Sequence, residues 1–334
     1  MTLTKRKLTT LASILLVAFI AIAVITVDFF IDIERNNVEW QDRKMVSVGN
    51  FGSVDAVDIT PLVNWSSRND ALSTEAGVSY LIRTVDQTIL FDAGFNRDED
   101  SVSPLGRNIE ALGIDPREIG TVFLSHLHRD HMGGASAESA RRIEPGIDGF
   151  SLGGRRVFSP ESLDMPDSAV TELVLPSAIG PGLATTGPIG RRLFIGQVNE
   201  QALVINVKRK GLVVIVGCGH QTVDKLVTRI HESFAQPIYA IVGDLHFPVP
   251  EGRLKIFGVD VQRRLASGDG PHAPMTMEDA NSFLAWARQS GIRFVLGGHD
   301  TSDELLRRLT NDAAIEGQIA WVGETVSFGE GSPQ

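Results

Sequence analysis

The chain has 334 residues, of which 43% are hydrophobic and 22% charged, which excludes a disordered or fibrous protein and suits one large globular domain or two small ones. Its formal net charge of -10 argues against a nucleic-acid partner, because phosphate-tracking surfaces depend on clustered Lys and Arg. Cys218 is the sole cysteine, which excludes an intrachain disulfide and a metal site built from several thiolates.

The N-terminus combines a basic start with a long apolar run. Residues 8–27 carry no charge, and 20 such residues are long enough to cross a bilayer as a helix. Because the basic residues Lys5–Lys7 precede the run, the positive-inside rule predicts that the rest of the chain is extracytoplasmic. A cleaved signal peptide is the alternative, since Ala21–Ala23 resembles a small-x-small cleavage site. We favour a membrane anchor, residues 1–35, because the run exceeds the ~7–15 residues of a signal peptide core.

Residues 34–53 are typical of a polar stalk, and the remainder is predicted to form one catalytic domain, residues 46–334. Apolar runs of strand length alternate there with segments of helical periodicity, which predicts a layered α/β fold. The runs 78–82 and 88–91 predict a hairpin that ends at Asp92. Further predicted strands span residues 122–124, 202–207, 212–216, 238–242 and 294–296, and predicted helices span residues 108–112, 223–234 and 277–287. The segment 145–188, rich in Gly, Pro and Ser, predicts long loops that shape a pocket.

Four ligand-type side chains follow the predicted strand 122–124 within six residues: His126, His128, Asp130 and His131. Unpaired polar groups do not stay buried, and a bound metal ion removes that cost. In an extended segment His126 and His128 point to the same side and reach one ion, while Asp130 and His131 follow at a turn, placed for a second ion. Imidazole and carboxylate suit zinc, iron or manganese, so we predict two divalent metal ions with zinc as the default.

Three other predicted strands end in glycine followed by a ligand-type side chain. These strand ends supply His220, then Asp244 and His246, and finally His299. Glycine permits the crowded backbone that lets such side chains project into a shared site. Open α/β sheets bind ligands at the carboxyl ends of their strands, so the sequence predicts that these residues converge.

The unbroken His-x-His-x-Asp-His segment at 126–131, with Asp92 upstream, resembles the signature of the metallo-β-lactamase-fold hydrolases. Within that superfamily the chain is most similar to the subgroup named dihydropterin ribofuranosyl-aminobenzene phosphate synthases, through segments 75–79, 199–203 and 211–220. The resemblance runs from about Gly77 to His299. The resemblance implies a four-layer αβ/βα sandwich. The apolar N-terminal run predicts a transmembrane helix before it.

The resemblance also implies roles for individual residues. It places His126, His128 and His220 on one metal ion, Asp130, His131 and His299 on the other, and Asp244 between the two. The subgroup more often has glycine at the position of Asp244 and a histidine two residues on, which here is His246. We favour Asp244 as the bridging ligand and His246 for substrate contact or for proton transfer, a role that metal-bound water could also fill. Asp130 and His246 are the candidate catalytic residues.

Two further side chains receive supporting roles. Asp92 is expected to orient a ligating histidine through a hydrogen bond, as carboxylates behind metal ligands commonly do. Cys218 is expected to be a small buried residue rather than a ligand.

These features predict a metal-dependent hydrolase in which a metal-activated hydroxide attacks an ester-like, phosphoester or amide-like bond of a small molecule. The alternative is a non-hydrolytic metal-binding or sensing domain tethered to the membrane. The full ligand set argues against that alternative, because a structural site needs fewer ligands and a closed shell. The subgroup name implies a phosphorylated pterin-related substrate, but an exported domain does not readily meet a cytoplasmic intermediate, so the substrate stays open.

Overall fold

The computed structural model describes residues 2–194 and 196–330 and divides the chain into a unit that ends at Lys44 and a unit that begins at Met45. The first unit contains helix α1 (Thr2–Gln41). Within α1 the segment Ala12–Gln41 is long and apolar enough to cross a membrane, and an 18-residue window within it reaches a mean hydropathy of 2.9. A signal sequence meets the same criterion. Because α1 runs to Gln41, the first part of the predicted polar stalk, residues 34–53, is helical.

Within the described residues, the second unit contains two sheets of seven strands, numbered here in chain order. The first sheet contains β1 (Ala56–Val63), β2 (Ser79–Arg83), β3 (Thr88–Phe91), β4 (Thr121–Phe123), β5 (Arg156–Ser159), β6 (Ala169–Glu172) and β18 (Val326–Gly329). The second contains β7 (Ser177–Gly180), β8 (Leu183–Thr185), β11 (Leu203–Val207), β12 (Gly211–Val216), β13 (Ile238–Gly243), β16 (Arg293–Leu296) and β17 (Gly317–Ile319). Two short antiparallel pairs are β9 (Ile189–Leu193) with β10 (Gly196–Glu200) and β14 (Lys255–Ile256) with β15 (Val259–Asp260).

Helices cover the outer faces of both sheets. They are α2 (Pro104–Ala111), α3 (Arg129–Met132), α4 (Ala135–Ser139), α5 (Val223–Ser233), α6 (Val261–Leu265), α7 (Met277–Ser290) and α8 (Asp303–Asn311), with a 3-10 turn at Pro116–Glu118. Helix α7 begins with a capping box formed by Thr276 and Asp279, and Gly291, whose φ of +66° suits glycine, caps its C-terminus. The order of layers is helix, sheet, sheet, helix.

The strand period of two divides the buried side chains between an inner and an outer core. In β12, Val213 and Ile215 join the cluster between the sheets, whereas Leu212, Val214 and Val216 join the cluster beneath α5, α7 and α8. Each leucine-sized side chain buried in this way stabilises the fold by about 1.5–3 kcal/mol. The mixed α/β sandwich expected from the sequence is confirmed.

Most predicted elements are present with small shifts at their ends, including the antiparallel hairpin of β2 and β3. The prediction of long loops over 145–188 is wrong, because β5, β6, β7 and β8 lie within that segment. Their strand signal is weak since each is only three or four residues long and Gly or Pro separates them. The first strand, β1, was not predicted either, because Asp58 and Pro61 interrupt its apolar run.

The connections bring several strand ends to one edge of the sandwich. In the first sheet β3 runs parallel to β4, and in the second β12 runs parallel to β13 and β13 to β16. Segments that leave these strands carry Asp92, residues 125–131, residues 217–220, Asp244 and His299. The candidate ligands are therefore contributed by both sheets.

Gly243, the last residue of β13, provides a test of how tightly this edge is packed. Its φ is +125°, and a Cβ built there would lie 2.0 Å from the backbone oxygen of Val216. We expect Gly243→Ala to lower the free energy of unfolding by about 2 kcal/mol or more, because it adds backbone strain and a steric clash. Denaturant unfolding of the full chain measures the change.

The matched control is Gly120→Ala. Its added methyl group would meet no atom within 4 Å, and its φ lies outside the left-handed region. We expect a change within about 0.5 kcal/mol for this exposed position. Equal stability of the two variants would contradict the tight approach of β13 to β12.

Candidate metal centre

Asp92 anchors the segment that carries the His-x-His-x-Asp-His residues. Its buried carboxylate accepts hydrogen bonds from the backbone nitrogen and the hydroxyl of Ser125, both at 2.7 Å. The same carboxylate lies 2.6 Å from Nδ1 of His131. This contact fixes the ring so that Nε2 faces the other ligand-type side chains, as carboxylates behind metal-bound histidines do. Asp92 thus lies where an orienting carboxylate is expected.

The first set of ligand-type side chains consists of His126, His128 and His220. One ring nitrogen from each lies within 4.8 Å of the others. The Nε2 atom of His126 is 3.0 Å from Nδ1 of His128, and the ring of His220 lies 5.0–5.1 Å from both rings, measured between centroids. Burial and the neighbouring imidazoles hold the pKa of His126 and of His220 well below the ordinary value. Both rings are therefore neutral, which is the form that binds metal.

His220 is poorly satisfied as a structural residue. Its side chain is almost fully buried, and among the described residues neither ring nitrogen has a hydrogen-bond partner. Buried polar groups are nearly always paired, so an unpaired imidazole aimed at two other imidazoles points to a ligand in between.

The second set consists of Asp130, His131 and His299, and it also includes Cys218. Ligand atoms of these four side chains lie within 4.8 Å of one another. The Nε2 atom of His299 is 2.9 Å from Oδ2 of Asp130, and Nε2 of His131 is 2.9 Å from Sγ of Cys218. Burial alone would lower the pKa of His299, but Asp300 and Asp130 raise it to about 10. The carboxylates thus create a field that favours positive charge at this place.

Asp244 and His246 both lie close to these sets but differ in what they contact. Oδ2 of Asp244 accepts a hydrogen bond of 3.0 Å from the backbone nitrogen of His299, and burial raises the pKa of Asp244 to about 6. Asp244 belongs to none of the groups of three or more mutually close ligand atoms found among the described residues. His246 has Nδ1 3.0 Å from Oδ2 of Asp300 and Nε2 2.7 Å from the backbone oxygen of Ala266.

Both ring nitrogens of His246 therefore face acceptors. Burial lowers the pKa of His246, but the Asp300 carboxylate outweighs it and raises the pKa above the ordinary value. A ring held in this way carries a proton and has no free lone pair, so it is better suited to proton transfer than to metal ligation. This geometry favours proton transfer over metal ligation for His246.

Sequence reasoning missed two buried carboxylates near the ligand sets. Asp300 contacts His246 and Gln262, and it forms a third mutually close group with Cys218 and His220. Its signal was only its position next to His299.

Glu200 is the other, and it holds the loop that carries His220. Oε1 of Glu200 accepts the backbone N–H groups of Cys218 and Gly219 at 3.0 and 2.9 Å, and Oε2 accepts that of His220 at 2.8 Å. Burial raises the pKa of Glu200 to about 7. The signal for this role was present in the segment 199–203, which carried part of the family resemblance.

A pocket opens beside the first ligand set. His220 and His246 line it together with Arg191, Ser267 and Met275. Arg191 is largely buried, donates a hydrogen bond of 2.6 Å to the backbone oxygen of Gly268, and lies 3.9 Å from Asp269. A cationic side chain, the imidazole of His246 and one member of the first ligand set, His220, thus line one cavity.

The donor set fits divalent transition metals. The neutral imidazoles of His126 and His220, a carboxylate with a lowered pKa at Asp130 and a hydrogen-bonded carboxylate behind His131 are groups that such ions bind. The number of ligand-type atoms exceeds what one tetrahedral ion uses.

Comparison with known proteins agrees with this fold. A family model described as the metallo-beta-lactamase superfamily matches residues 73–299. The chain is 24% identical over 253 residues, 59% of its own length and 80% of the relative, to the 7,8-dihydropterin-6-methyl-4-(beta-D-ribofuranosyl)-aminobenzene-5'-phosphate synthase of Methanocaldococcus jannaschii. The crystal structure of Tm1679, a metal-dependent hydrolase of the beta-lactamase superfamily, matches with a TM-score of 0.54 and 21% identity, covering 82% of this chain and all of that one.

Asp92→Asn tests the support of His131. The amide nitrogen that replaces Oδ2 would donate to Nδ1 of His131, which forces the ring proton onto Nε2 and removes the lone pair that faces the site. We expect zinc affinity to fall about 10–100-fold, as for other residues that orient metal ligands. Competition with a chromophoric chelator measures the affinity.

The matched control is Asp98→Asn, which makes the same change on an exposed side chain. It should leave zinc affinity unchanged. If Asp92→Asn bound zinc as tightly as this control, the carboxylate would have no part in orienting His131.

Proposed function

This chain belongs to the metallo-beta-lactamase superfamily, and from that premise we propose that it is a metal-dependent hydrolase of a small molecule that carries a phosphoester. The observation that carries the proposal is that two ligand sets lie side by side, with the rings of His126 and His131 4.1 Å apart between centroids and His220 on the wall of the adjacent pocket. The first set is His126, His128 and His220, and the second is Asp130, His131 and His299. We assign each set to one divalent metal ion, with zinc as the expected metal.

Bound dications supply two kinds of chemistry at such a site, since they lower the pKa of water toward neutrality and polarise the bond that breaks. The chain's own residues hold the reactants in place. Asp130 and the histidines would hold the metal ions. Asp92 fixes the ring of His131, and Glu200 fixes the backbone of His220. This preorganisation avoids the cost of rearrangement during the reaction.

We assign proton transfer to the leaving group to His246. Its ring lines the pocket and lies 4.5 Å from the ring of His220 between centroids. The Nδ1–H group donates to Asp300, so the proton to be transferred is the one on Nε2, which faces the backbone oxygen of Ala266 at 2.7 Å until the leaving group takes it. A protonated imidazole beside the reacting bond can neutralise a departing alkoxide, and such general acid catalysis contributes typically about 10²–10⁴-fold. Asp300 then balances the charge that the ring loses or gains.

The phosphoester is favoured over other bonds by two observations. Arg191 brings a guanidinium to the wall of the pocket, and guanidinium groups recognise phosphate oxygens through paired hydrogen bonds. The name of the archaeal relative contains a 5'-phosphate on a ribofuranosyl group. That name describes a synthase. A bond-forming reaction on a phosphorylated compound would therefore contradict the proposed hydrolysis.

We also propose that α1 anchors the catalytic domain on the extracytoplasmic side of a membrane. The apolar segment Ala12–Gln41 and the basic residues that precede it support this placement. Substrates from the cell exterior or periplasm are then the ones that the pocket meets.

Metal removal and a substrate panel test the proposed chemistry. The purified full chain should contain bound metal, hydrolyse a nitrophenyl phosphodiester or phosphomonoester, lose that activity on dialysis against a chelator, and regain it with zinc, manganese or iron. The panel also contains a lactone, a thioester and a cephalosporin. Turnover confined to those three would contradict the phosphoester, and a metal-loaded chain inactive on every class would favour a binding or sensing domain.

The matched variants in this experiment are His128→Ala and His231→Ala. His231 is an exposed histidine on α5, away from both ligand sets. We expect His128→Ala to lose bound metal and turnover together and His231→Ala to retain both. Unchanged activity of His128→Ala would defeat the assignment of the first set.

His246→Gln tests the proton donor. The glutamine amide preserves a donor toward the backbone oxygen of Ala266 but cannot transfer a proton, so metal content should stay constant. We expect kcat to fall about 10²–10⁴-fold for a substrate with an alkyl leaving group, and far less for a nitrophenyl ester whose leaving group needs no proton. Steady-state kinetics on the two esters, with His231→Gln as control, give the comparison. An equal loss on both esters would refute the role of general acid.

A further inference from the structure

We infer that the Cys218 thiol is a metal ligand shared between the two ligand sets, in the role for which the carboxylate of Asp244 is expected. The inference rests on the proposed metal centre and adds a sulfur donor to it. Neither the His-x-His-x-Asp-His segment nor the strand-end histidines include this residue, and the sequence alone favours a small buried side chain.

The position of Sγ carries the inference. Cys218 is completely buried, and its Sγ atom lies 2.9 Å from Nε2 of His131 and within 4.8 Å of ligand atoms of Asp130 and His299. The same atom is within 4.8 Å of a ring nitrogen of His220, which belongs to the first set. Sγ therefore lies where the two sets meet. It lies against Nε2 of His131, the ring nitrogen that does not contact the Asp92 carboxylate.

His220 supplies a second and independent observation. Its ring is almost fully buried and, in the part of the chain that the structure describes, both nitrogens lack hydrogen-bond partners. Since this unpaired ring lies two residues from Cys218 on the same loop, the loop presents two donors to a common place. A ligand bound there would satisfy both.

The backbone around Cys218 is tightly held, which fixes the position of its thiol. The carboxylate of Glu200 accepts the N–H groups of residues 218–220. A Cβ on Gly217 would lie 2.3 Å from Oγ of Ser125, and one on Gly219 would lie 2.6 Å from the backbone of Leu245. Side chains larger than hydrogen at either flanking position would push the loop away from the ligand sets.

Asp244 is the competing ligand. Its Oδ2 atom is engaged by the backbone nitrogen of His299, and Asp244 joins none of the mutually close groups within the described residues. Its Oδ1 atom is buried and has no hydrogen-bond partner there. Cys218, in contrast, joins two of the groups, so the geometry favours the thiol for the shared position.

Binding through sulfur has a defined proton balance. The thiol S–H bond breaks, its proton leaves to solvent, and the electron pair left on Sγ forms the bond to the metal ion, so that one proton is released for each cysteine bound. Thiolate ligands select borderline and soft ions, including zinc, cobalt and ferrous iron, over magnesium or calcium. A sulfur donor therefore narrows the choice of metal that nitrogen and oxygen donors alone leave wide.

Cobalt substitution of the full chain tests the inference without reference to activity. Because Cys218 is the sole cysteine, a near-ultraviolet thiolate-to-cobalt charge-transfer band in the wild-type protein has one possible source. We expect that band as Co²⁺ is added to metal-free protein, with bound cobalt measured by elemental analysis on the same sample.

Two variants separate the competing ligands. Asp244→Asn should keep the charge-transfer band, whereas Cys218→Ser should lose it and bind cobalt at least about tenfold more weakly, since even residues behind the ligands cost 10–100-fold. Circular dichroism checks that Cys218→Ser is folded, and the wild-type spectrum decides the question if it is not. Stoichiometric cobalt without the band would overturn the thiol ligand and leave the proposed hydrolase intact. Absence of bound cobalt in the wild-type chain would overturn both.

Discussion

The buried contact between Asp92 and the segment after β4 is the constraint on which the rest of the site depends. The Asp92 carboxylate accepts hydrogen bonds from the backbone nitrogen and the hydroxyl of Ser125, and it faces Nδ1 of His131. Asp92 itself has a φ of +56°, an uncommon backbone conformation for a residue other than glycine. Strain of this kind persists only where the surroundings overdetermine it, and it is typical of functional sites.

The same edge of the sandwich concentrates charge that a soluble core ordinarily avoids. Asp92, Glu200, Asp244 and Asp300 are all buried, and burial raises the pKa of the first three. Isolated buried carboxylates are costly unless hydrogen bonds or opposite charges compensate them. Here backbone N–H groups and imidazoles compensate the buried carboxylates. The carboxylates lower the stability of this edge and create a negative potential that favours cations. Apolar packing beneath α5, α7 and α8 offsets that cost elsewhere.

The sequence predicted the parts of the structure whose signals are local. His126, His128, Asp130 and His131 are adjacent in the chain, and the glycine before each strand-end ligand marked where the chain turns toward the site. The elements that were missed depend on tertiary context: β1 carries Asp58 and Pro61 in an otherwise buried strand, and the strands within 145–188 are too short for a periodic pattern. The surroundings of Cys218 and Asp300 likewise arise only when β4, β12 and β16 are brought together. The residue types of Cys218 and Asp300 alone do not indicate that they lie beside the ligand sets.

Each ligand set draws its residues from both sheets, and this has a consequence for the lifetime of the protein. His126–His131 follow β4 of one sheet, whereas His220 and His299 follow β12 and β16 of the other. A cation held by residues of both sheets would link the sheets across the interior, and binding to the folded state alone would add stability that rises with the logarithm of free metal over its dissociation constant. Scarce metal would then weaken the packing between the two sheets and expose the chain to proteases, and the amount of protein would follow the metal supply.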